Sequence, residues 1–365
     1  MISDAHITII GGGMMGLSCA YWLSKFGAED IVIVDRYKEL AADATKECAG
    51  MITQDFSDKT MINLAQESLK LYRHISCGMR NQGQIVLFEK IDEIADAKKR
   101  LAEQKRAHVQ VKEMGKGELY HLIPTAYIDD IEYALHYPGD AIADVERLMT
   151  WFKDECEANE VRFILGTTVR NVHSKEGKVL EVMTDKGTIK TEKIINAAGA
   201  HAGIIGHLAG IDVPVLPLRI HSVTTGKFPV LSDRMPAIRD EKYNITIVPH
   251  EGGFRFLQRY HHEEHGFKTG IEERFIYDML DDAEKRFPAF ASAKIKEKSS
   301  GHYAMTPDKR PIIGETSLKG LYCCAGFNGH GMTFAPIAGM IIADLIMHGD
   351  SRHGFSGLEP DRFRR

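Results

Sequence analysis

The sequence predicts a mixed α/β (α+β) fold, in which a parallel-sheet domain entered several times by the chain is joined to a second, sheet-plus-helix domain. Three features predict it: a strand–glycine turn–helix–strand unit at the amino end, a buried-strand run ending in glycine mid-chain, and a strand, glycine loop and long apolar helix near the carboxyl end. At 365 residues the chain has the length for two domains. Hydrophobic residues at 44% and charged residues at 27% exclude a disordered, collagenous or coiled-coil chain. A formal net charge of −5 excludes bulk attraction to nucleic acid or an anionic membrane as the driving theme.

The first element is the β-rich run His6-Ile7-Thr8-Ile9-Ile10. After the glycines comes a helix whose apolar face, Met15, Cys19, Trp22, Leu23 and Phe26, keeps a 3.6-residue period, with Gly27 just past its end. Residues 31–34 are continuously apolar, as a strand buried on both faces should be, and lead into Asp35. Residues 89–118 interleave both charge signs around a weak stripe of Ile91, Ile94 and Leu101, which predicts a solvated helical excursion. Asp144 is placed to cap a helix that turns Leu148, Trp151 and Phe152 inward.

From 161 to 199 the spacing of turns predicts an antiparallel meander (161–165, 169–173 and 179–183) that delivers the chain into the buried run 194–199. Residues 215–298 mix strands at 245–249 and 254–257 with a helix near 275–287. Last come a strand at 321–325, the loop Gly326 to Gly331, and a helix with face Phe334, Ile337, Ala338, Ile341, Ile342, Leu345 and Ile346, closed by Gly349. Its apolar stretch, 337–347, is interrupted by Asp344 and reads as too short to span a bilayer. No signal peptide is visible, so a soluble, cytoplasmic chain without an integral membrane segment is expected. The six cysteines (Cys19, Cys48, Cys77, Cys156, Cys323, Cys324) form no CxxC pair, so reduced packing thiols are expected and no structural zinc.

Chemistry enters with Gly11-x-Gly13-x-x-Gly16. Between a strand and a helix, Gly11 allows the tight turn, Gly13 lets the backbone approach a pyrophosphate, and Gly16 permits close helix–strand packing. The pyrophosphate would rest on the helix amino terminus, beside Met14 and Met15. Asp35, 19 residues after Gly16, is placed to accept from ribose hydroxyls; it disfavours a 2′-phosphate, with Arg36 beside it. This is a Rossmann-type unit for NAD or FAD. The second glycine-terminated strand, Asn196-Ala197-Ala198-Gly199, and the late loop before a helix favour FAD. A reduced flavin carries negative charge at its pyrimidine end, which helix amides stabilise.

These segments, together with Gly301-His302-Tyr303-Ala304-Met305-Thr306-Pro307-Asp308 and Pro311-Ile312-Ile313-Gly314, resemble the FAD-dependent D-amino-acid oxidase/sarcosine oxidase/glycine oxidase family along nearly the whole chain. Within it the chain is most similar to the branch of sarcosine oxidase β-subunits, dimethylglycine dehydrogenases and dye-linked proline dehydrogenases. The resemblance implies a discontinuous FAD domain (1–80, 140–214 and 299–350), a substrate domain (81–139 and 215–298) and a tail (351–365). It implies that Thr45, Lys46, Ala49 and Gly50 pass the flavin ring, with Lys46 as a nearby cation, and that Val169 contacts the adenine. Ala198 and Gly199 would lie over the pyrophosphate, and Gly329, His330, Gly331, Met332 and Thr333 would cap the pyrimidine end. Tyr303 stands where glycine oxidases carry a carboxylate-binding arginine, and Arg255 near a basic residue facing the flavin. Relatives with covalent flavin use a cysteine in the segment matching 301–303. None is present, so non-covalent FAD is expected. Thr333 replaces a lysine that in monomeric sarcosine oxidases helps hold the substrate carboxylate, which leaves Arg255 and Lys46 as candidates with Tyr303 as helper.

The implied reaction is oxidation of a small amine or amino acid (sarcosine-, proline- or glycine-like) by hydride transfer to flavin N5, giving an imine that hydrolyses. The amine must be neutral and its neighbouring carbon held against N5. Electrons would pass to oxygen or to an unknown partner, and an oligomer or heteromeric complex is compatible with the sequence. The alternatives are an FAD-dependent 2-hydroxy acid dehydrogenase, a non-catalytic FAD-holding subunit of a larger dehydrogenase, or an NAD-linked enzyme. His330 reads as loop structure beside the flavin more than as a general base. Arg219 and Arg239 could reach the substrate pocket, but nothing in the sequence separates them from surface or interdomain arginines. His261, His262 and His265 read as solvated surface, with no metal expected.

Overall fold

The computed structural model describes residues 4–75, 77–228, 230–258 and 263–364. Its first sheet has six strands in the order Ile312–Glu315, Leu321–Ala325, Lys193–Asn196, Ile7–Ile10, Ile31–Val34, Arg162–Ile164. All neighbours are parallel except the first pair. The strands Ile7–Ile10 and Ile31–Val34 are buried at every position, because helices cover one face and a second layer the other. The first helix (Met14–Lys25) and the last (Gly331–His348) pack so closely that a Cβ on Gly339 would lie 2.3 Å from Ser18 Oγ. Ser18 Oγ donates to Ala335 O at 2.6 Å across the same contact. Pro336, inside the last helix, cannot donate to Met332 O; the Tyr72 hydroxyl donates there instead at 2.5 Å, fixing the start of that helix. The other face is covered by a three-stranded antiparallel meander and the short helix Ala202–Leu208.

The second sheet has eight strands in the order Ile295–Met305, Leu216–Thr225, Gly253–Gln258, Ile245–His250, Ala237–Asp240, Gln84–Phe88, Tyr133–Tyr137, Lys112–Glu113. Period-2 alternation sorts its faces. Val223, Ile238, Ile247, Phe254 and Phe256 pack under the helix Glu273–Arg286, against Ile276 and Met279. Ile220, Val248, Leu257 and Tyr303 belong to the opposite face, toward the first sheet. Arg286, fully buried, is held by Asp240 at 2.6 Å and Asp130 at 2.7 Å.

Several expectations need correcting. Residues 162–164 do not start the meander: they join the parallel sheet beside Ile31–Val34, because the helix Val145–Ala158, capped by Asp144 as expected, returns the chain to that edge. Ile91 is 83% exposed at the first position of its helix, Ile91–Arg106, whose inward side is Ala97, Leu101 and Gln104. The strands Leu216–Thr225 and Ala237–Asp240 carry too many polar residues to stand out as strands; Leu216–Thr225 is nonetheless buried from Pro217 onward. The strand Ile295–Met305 pairs with Leu216–Thr225 across position 299. The last helix, at 18 residues, is long and apolar enough by length and composition to cross a membrane, but 78% of it is buried inside the protein. Cys323 and Cys324 pack into different apolar clusters, as alternation along a strand requires.

Candidate functional site

A cavity of about 640 Å³ lies between the two sheets, and both glycine loops open onto it. At one end the strand Ile7–Ile10 turns at Gly11, where φ is +115° and a Cβ would lie 2.4 Å from Ala197 O. Gly13 caps the first helix without a side-chain acceptor, so the helix start faces the cavity through backbone. Among the described residues Met14 N has a side-chain partner there, Thr45 Oγ1 at 3.2 Å. Asp35 accepts from Gly12 N (2.6 Å) and Tyr37 N (2.8 Å) and also lines the cavity. Arg36 Nη1 meets His201 Nε2 at 2.8 Å, and its Nη2 lies 3.5 Å from Asp43. Burial, then the Arg36 charge, pushes His201 down to about 4, so its ring is the neutral acceptor in that pair. His302 shifts the other way, raised by the Asp43 carboxylate 3.9 Å from its Nδ1.

At the far end Gly329, with φ +86°, sits against the Tyr303 ring; a Cβ there would lie 2.8 Å from Tyr303 carbons. Asn328 (φ +53°) braces the turn by accepting from Thr306 N at 2.9 Å and donating to Gly326 O at 2.6 Å. His330 caps the last helix without a side-chain hydrogen bond to it, and Gly331 and Met332, its first residues, line the cavity. The His330 ring packs edge-on against Phe56, centroids 5.1 Å apart.

The wall facing the eight-stranded sheet is made of side chains. Arg239 reaches the cavity with Gln84 and Thr246 from neighbouring strands, beside Ile220 and Leu257. Behind Arg239 lies Asp55, with its side chain 1% exposed. Asp55 accepts from Arg239 Nη2 (2.5 Å), Arg100 Nε (3.2 Å), Gln104 Nε2 (2.8 Å) and the Tyr137 hydroxyl (2.6 Å). Burial alone would raise Asp55, but the Arg239 and Arg100 guanidiniums hold it well below the usual carboxylate range. Asp140, equally buried, has no cation paired with it among the described residues: burial pushes it up to about 7 against hydrogen bonds from Thr53 Oγ1 (2.7 Å) and Gln54 N (3.0 Å).

Of the residues singled out from sequence, Gly11, Gly13, Met14, Met15, Asp35, Arg36, Thr45, Ala49, Val169, Ala198, Gly199, Tyr303, Gly329, His330, Gly331 and Met332 line this one cavity. Gly16, Gly50 and Thr333 stand behind it. A Cβ on Gly16 would lie 1.8 Å from Gly11 O and one on Gly50 2.2 Å from Ala143 O, while Thr333 Oγ1 accepts from Thr53 N at 3.1 Å. Two expected cations are not brought in. Lys46 is exposed and outside the lining. Arg255 is spent on Thr224 Oγ1 (3.0 Å) and Cys48 O (3.0 Å), tying the 46–48 loop to the second sheet. Arg239, not distinguishable in the sequence from a surface arginine, carries one signal: it alternates with Ile238 and Asp240, which take the opposite face. Among the described residues no group of three or more potential metal ligands occurs; His261 and His262 lie outside them.

The two uncapped helix starts, with glycines whose Cβ atoms would strike backbone or ring, fit an FAD whose pyrophosphate meets the first helix and whose pyrimidine end meets the last. Comparison with known proteins agrees. The family profile described as FAD dependent oxidoreductase (DAO) matches residues 6–345. Mitochondrial dimethylglycine dehydrogenase of Rattus norvegicus is 25% identical over 98% of this chain and 45% of its own length. The mitochondrial pyruvate dehydrogenase phosphatase regulatory subunit of Mus musculus is 26% identical over 99% of this chain and 43% of its own. The chain thus spans less than half the length of these curated relatives. The crystal structure of L-proline dehydrogenase from P. horikoshii superposes with a TM-score of 0.93 at 25% identity, covering 100% of this chain and 98% of that one.

Proposed function

The chain belongs to the FAD dependent oxidoreductase (DAO) family, and from that premise we propose that it oxidises a small amine or amino acid, secondary or N-methylated for preference. The observation that carries the reading is the opening of two uncapped helix starts, one near each end of the chain, onto a single cavity walled by the second sheet. FAD, when bound, supplies the two-electron acceptor at flavin N5. The chain would position it: the Gly11–Gly16 turn would receive the pyrophosphate, and the helix start at Gly331 and Met332 would lie toward the end of the ring where negative charge develops. Tyr303, seated on Gly329, is a hydrogen-bonding group for the substrate. Ile220 and Leu257 exclude water, and desolvation beside the Arg239 charge lowers the pKa of a bound ammonium, leaving the neutral amine that must react. Relatives named for dimethylglycine and proline support the preference for a substituted nitrogen. With no cysteine at 301–303, the flavin is held non-covalently. The product imine hydrolyses in water.

The test is anaerobic mixing of the FAD-loaded protein with sarcosine, proline, glycine and 2-hydroxy acids while the visible flavin bands are followed. Bleaching by an amine is expected; bleaching by hydroxy acids alone contradicts the proposal. After acid precipitation the yellow colour should stay in the supernatant. A second reading has its own observation, the likeness to a regulatory subunit: the chain would then hold FAD and be bleached only once a partner is added.

A further inference from the structure

The proposed function leaves open whether the amine must carry a carboxylate, and it was the absence of Lys46 and Arg255 from the cavity that removed the expected anchors. The geometry points to Arg239 as the residue that takes a substrate carboxylate, so that the site selects small amino acids over amines lacking that group.

The guanidinium of Arg239 is held on two of its three nitrogens. Its Nε donates to Glu241 Oε1 at 2.7 Å and its Nη2 to Asp55 Oδ2 at 2.5 Å. Nη1 has no protein partner among the described residues, and Arg239 lines the cavity. Two of the three guanidinium nitrogens are therefore locked behind the wall and the third faces the space, an arrangement that sets the direction of a charged donor before any ligand arrives. Asp55 is itself fixed by Arg100, Gln104 and Tyr137, so the support is rigid. Within this cluster Arg239 and Arg100 balance Asp55 and Glu241, and a bound carboxylate meets no net negative charge. Asp140, raised to about 7 by burial, is about half protonated at neutrality and so carries only part of a negative charge there. Thr53 and Gln84 line the same corner and provide neutral polar contacts, while Ile220 and Leu257 leave room for a short carbon skeleton. The other two arginines of the lining are engaged elsewhere: Arg36 by His201, Tyr37 and Asp43, and Arg170 by Asp185, 3.9 Å from its Nη2. Asp55 acts through Arg239 and is a positioning residue.

This inference rests on the amine-oxidation reading, but its test reads binding. Pyrrole-2-carboxylate and its neutral counterpart pyrrole-2-carboxamide are titrated into FAD-loaded protein by calorimetry. The carboxylate should bind at least about 10-fold more tightly than the amide. Arg239→Gln should weaken the carboxylate by about 10- to 100-fold and leave the amide unchanged, with Arg239→Lys recovering part of the loss. Equal binding of the two probes to the unaltered protein overturns the assignment, and so does an R239Q protein of normal FAD content that binds the carboxylate within about 3-fold of the parent. If R239Q does not fold, Arg239→Lys carries the test: it should bind the carboxylate more weakly than the parent and the amide equally, and unchanged binding of both overturns the assignment. Loss of carboxylate binding in R239Q, with no amine bleaching the flavin, keeps the anchor and removes the oxidation reading. Amine bleaching with an unchanged KM in R239Q does the reverse.

Discussion

The nucleotide half of the cavity is built of backbone, and the half facing the eight-stranded sheet is built of side chains. At the first, Gly11 makes the turn, Gly13, Gly199 and the starts of two helices line the space with backbone, and what matters is that no Cβ intrudes. At the second, strands from positions far apart in sequence bring Gln84, Arg239 and Thr246 to adjacent places, and what matters is the pairing of buried charge. Backbone sites tolerate changes in surrounding side chains but not in glycine; side-chain sites depend on a network in which each buried group answers for its neighbours.

That contrast can be broken first at the backbone end. Gly11→Ala places a Cβ 2.4 Å from Ala197 O at a φ of +115°. FAD affinity should fall by about 100-fold or more, measured by fluorescence quenching of free FAD on titration with apoprotein. Retention of near-normal affinity would mean that the turn does not receive the nucleotide. At the side-chain end, Asp55→Asn leaves Arg239 and Arg100 without their buried carboxylate and should cost about 3 kcal/mol in urea unfolding. A change near zero would show the cluster to be solvated.

The two buried carboxylates sharpen the comparison through pH. Asp140, raised to about 7 from 3.8, favours the folded state fully below pH 3.8, and that stability is lost as pH rises through 7. Asp55, depressed, contributes in the opposite sense: its stability is present above pH 3.8 and lost as acid protonates it in the folded state. Asp140→Asn should therefore flatten the decline in unfolding free energy between pH 4 and pH 7, and an unchanged profile would count against a neutral Asp140. The smallest effect is expected at Lys46: exposed and outside the cavity, its replacement by alanine should leave turnover and FAD affinity within about 2-fold. A large loss would bring the 45–50 loop into a different position over the ring.

The same division explains what the sequence could and could not reveal. Gly11, Gly13, Gly16 and Asp35 lie within one strand–turn–helix–strand unit, so their spacing is their geometry, and the loop Gly326 to Gly331 before a strongly periodic helix is legible for the same reason. Arg239 is opaque: its meaning depends on Asp55, 184 positions away, and on the parallel pairing of Ala237–Asp240 with Gln84–Phe88. Arg255 misled in the same way, since only the fold shows its guanidinium turned to the 46–48 loop carbonyls. Residues 162–164 look like the opening of a meander because turn spacing is local, whereas the parallel edge they join is set by the preceding helix.

The most direct test is a crystal structure of the chain with FAD bound. The account requires the pyrophosphate against the Gly11–Gly16 turn and the pyrimidine edge of the isoalloxazine within hydrogen-bond distance of the Gly331–Met332 amides, with Arg239 across the ring's open face. A nucleotide seated on the first helix while its ring lies away from the last helix would contradict it.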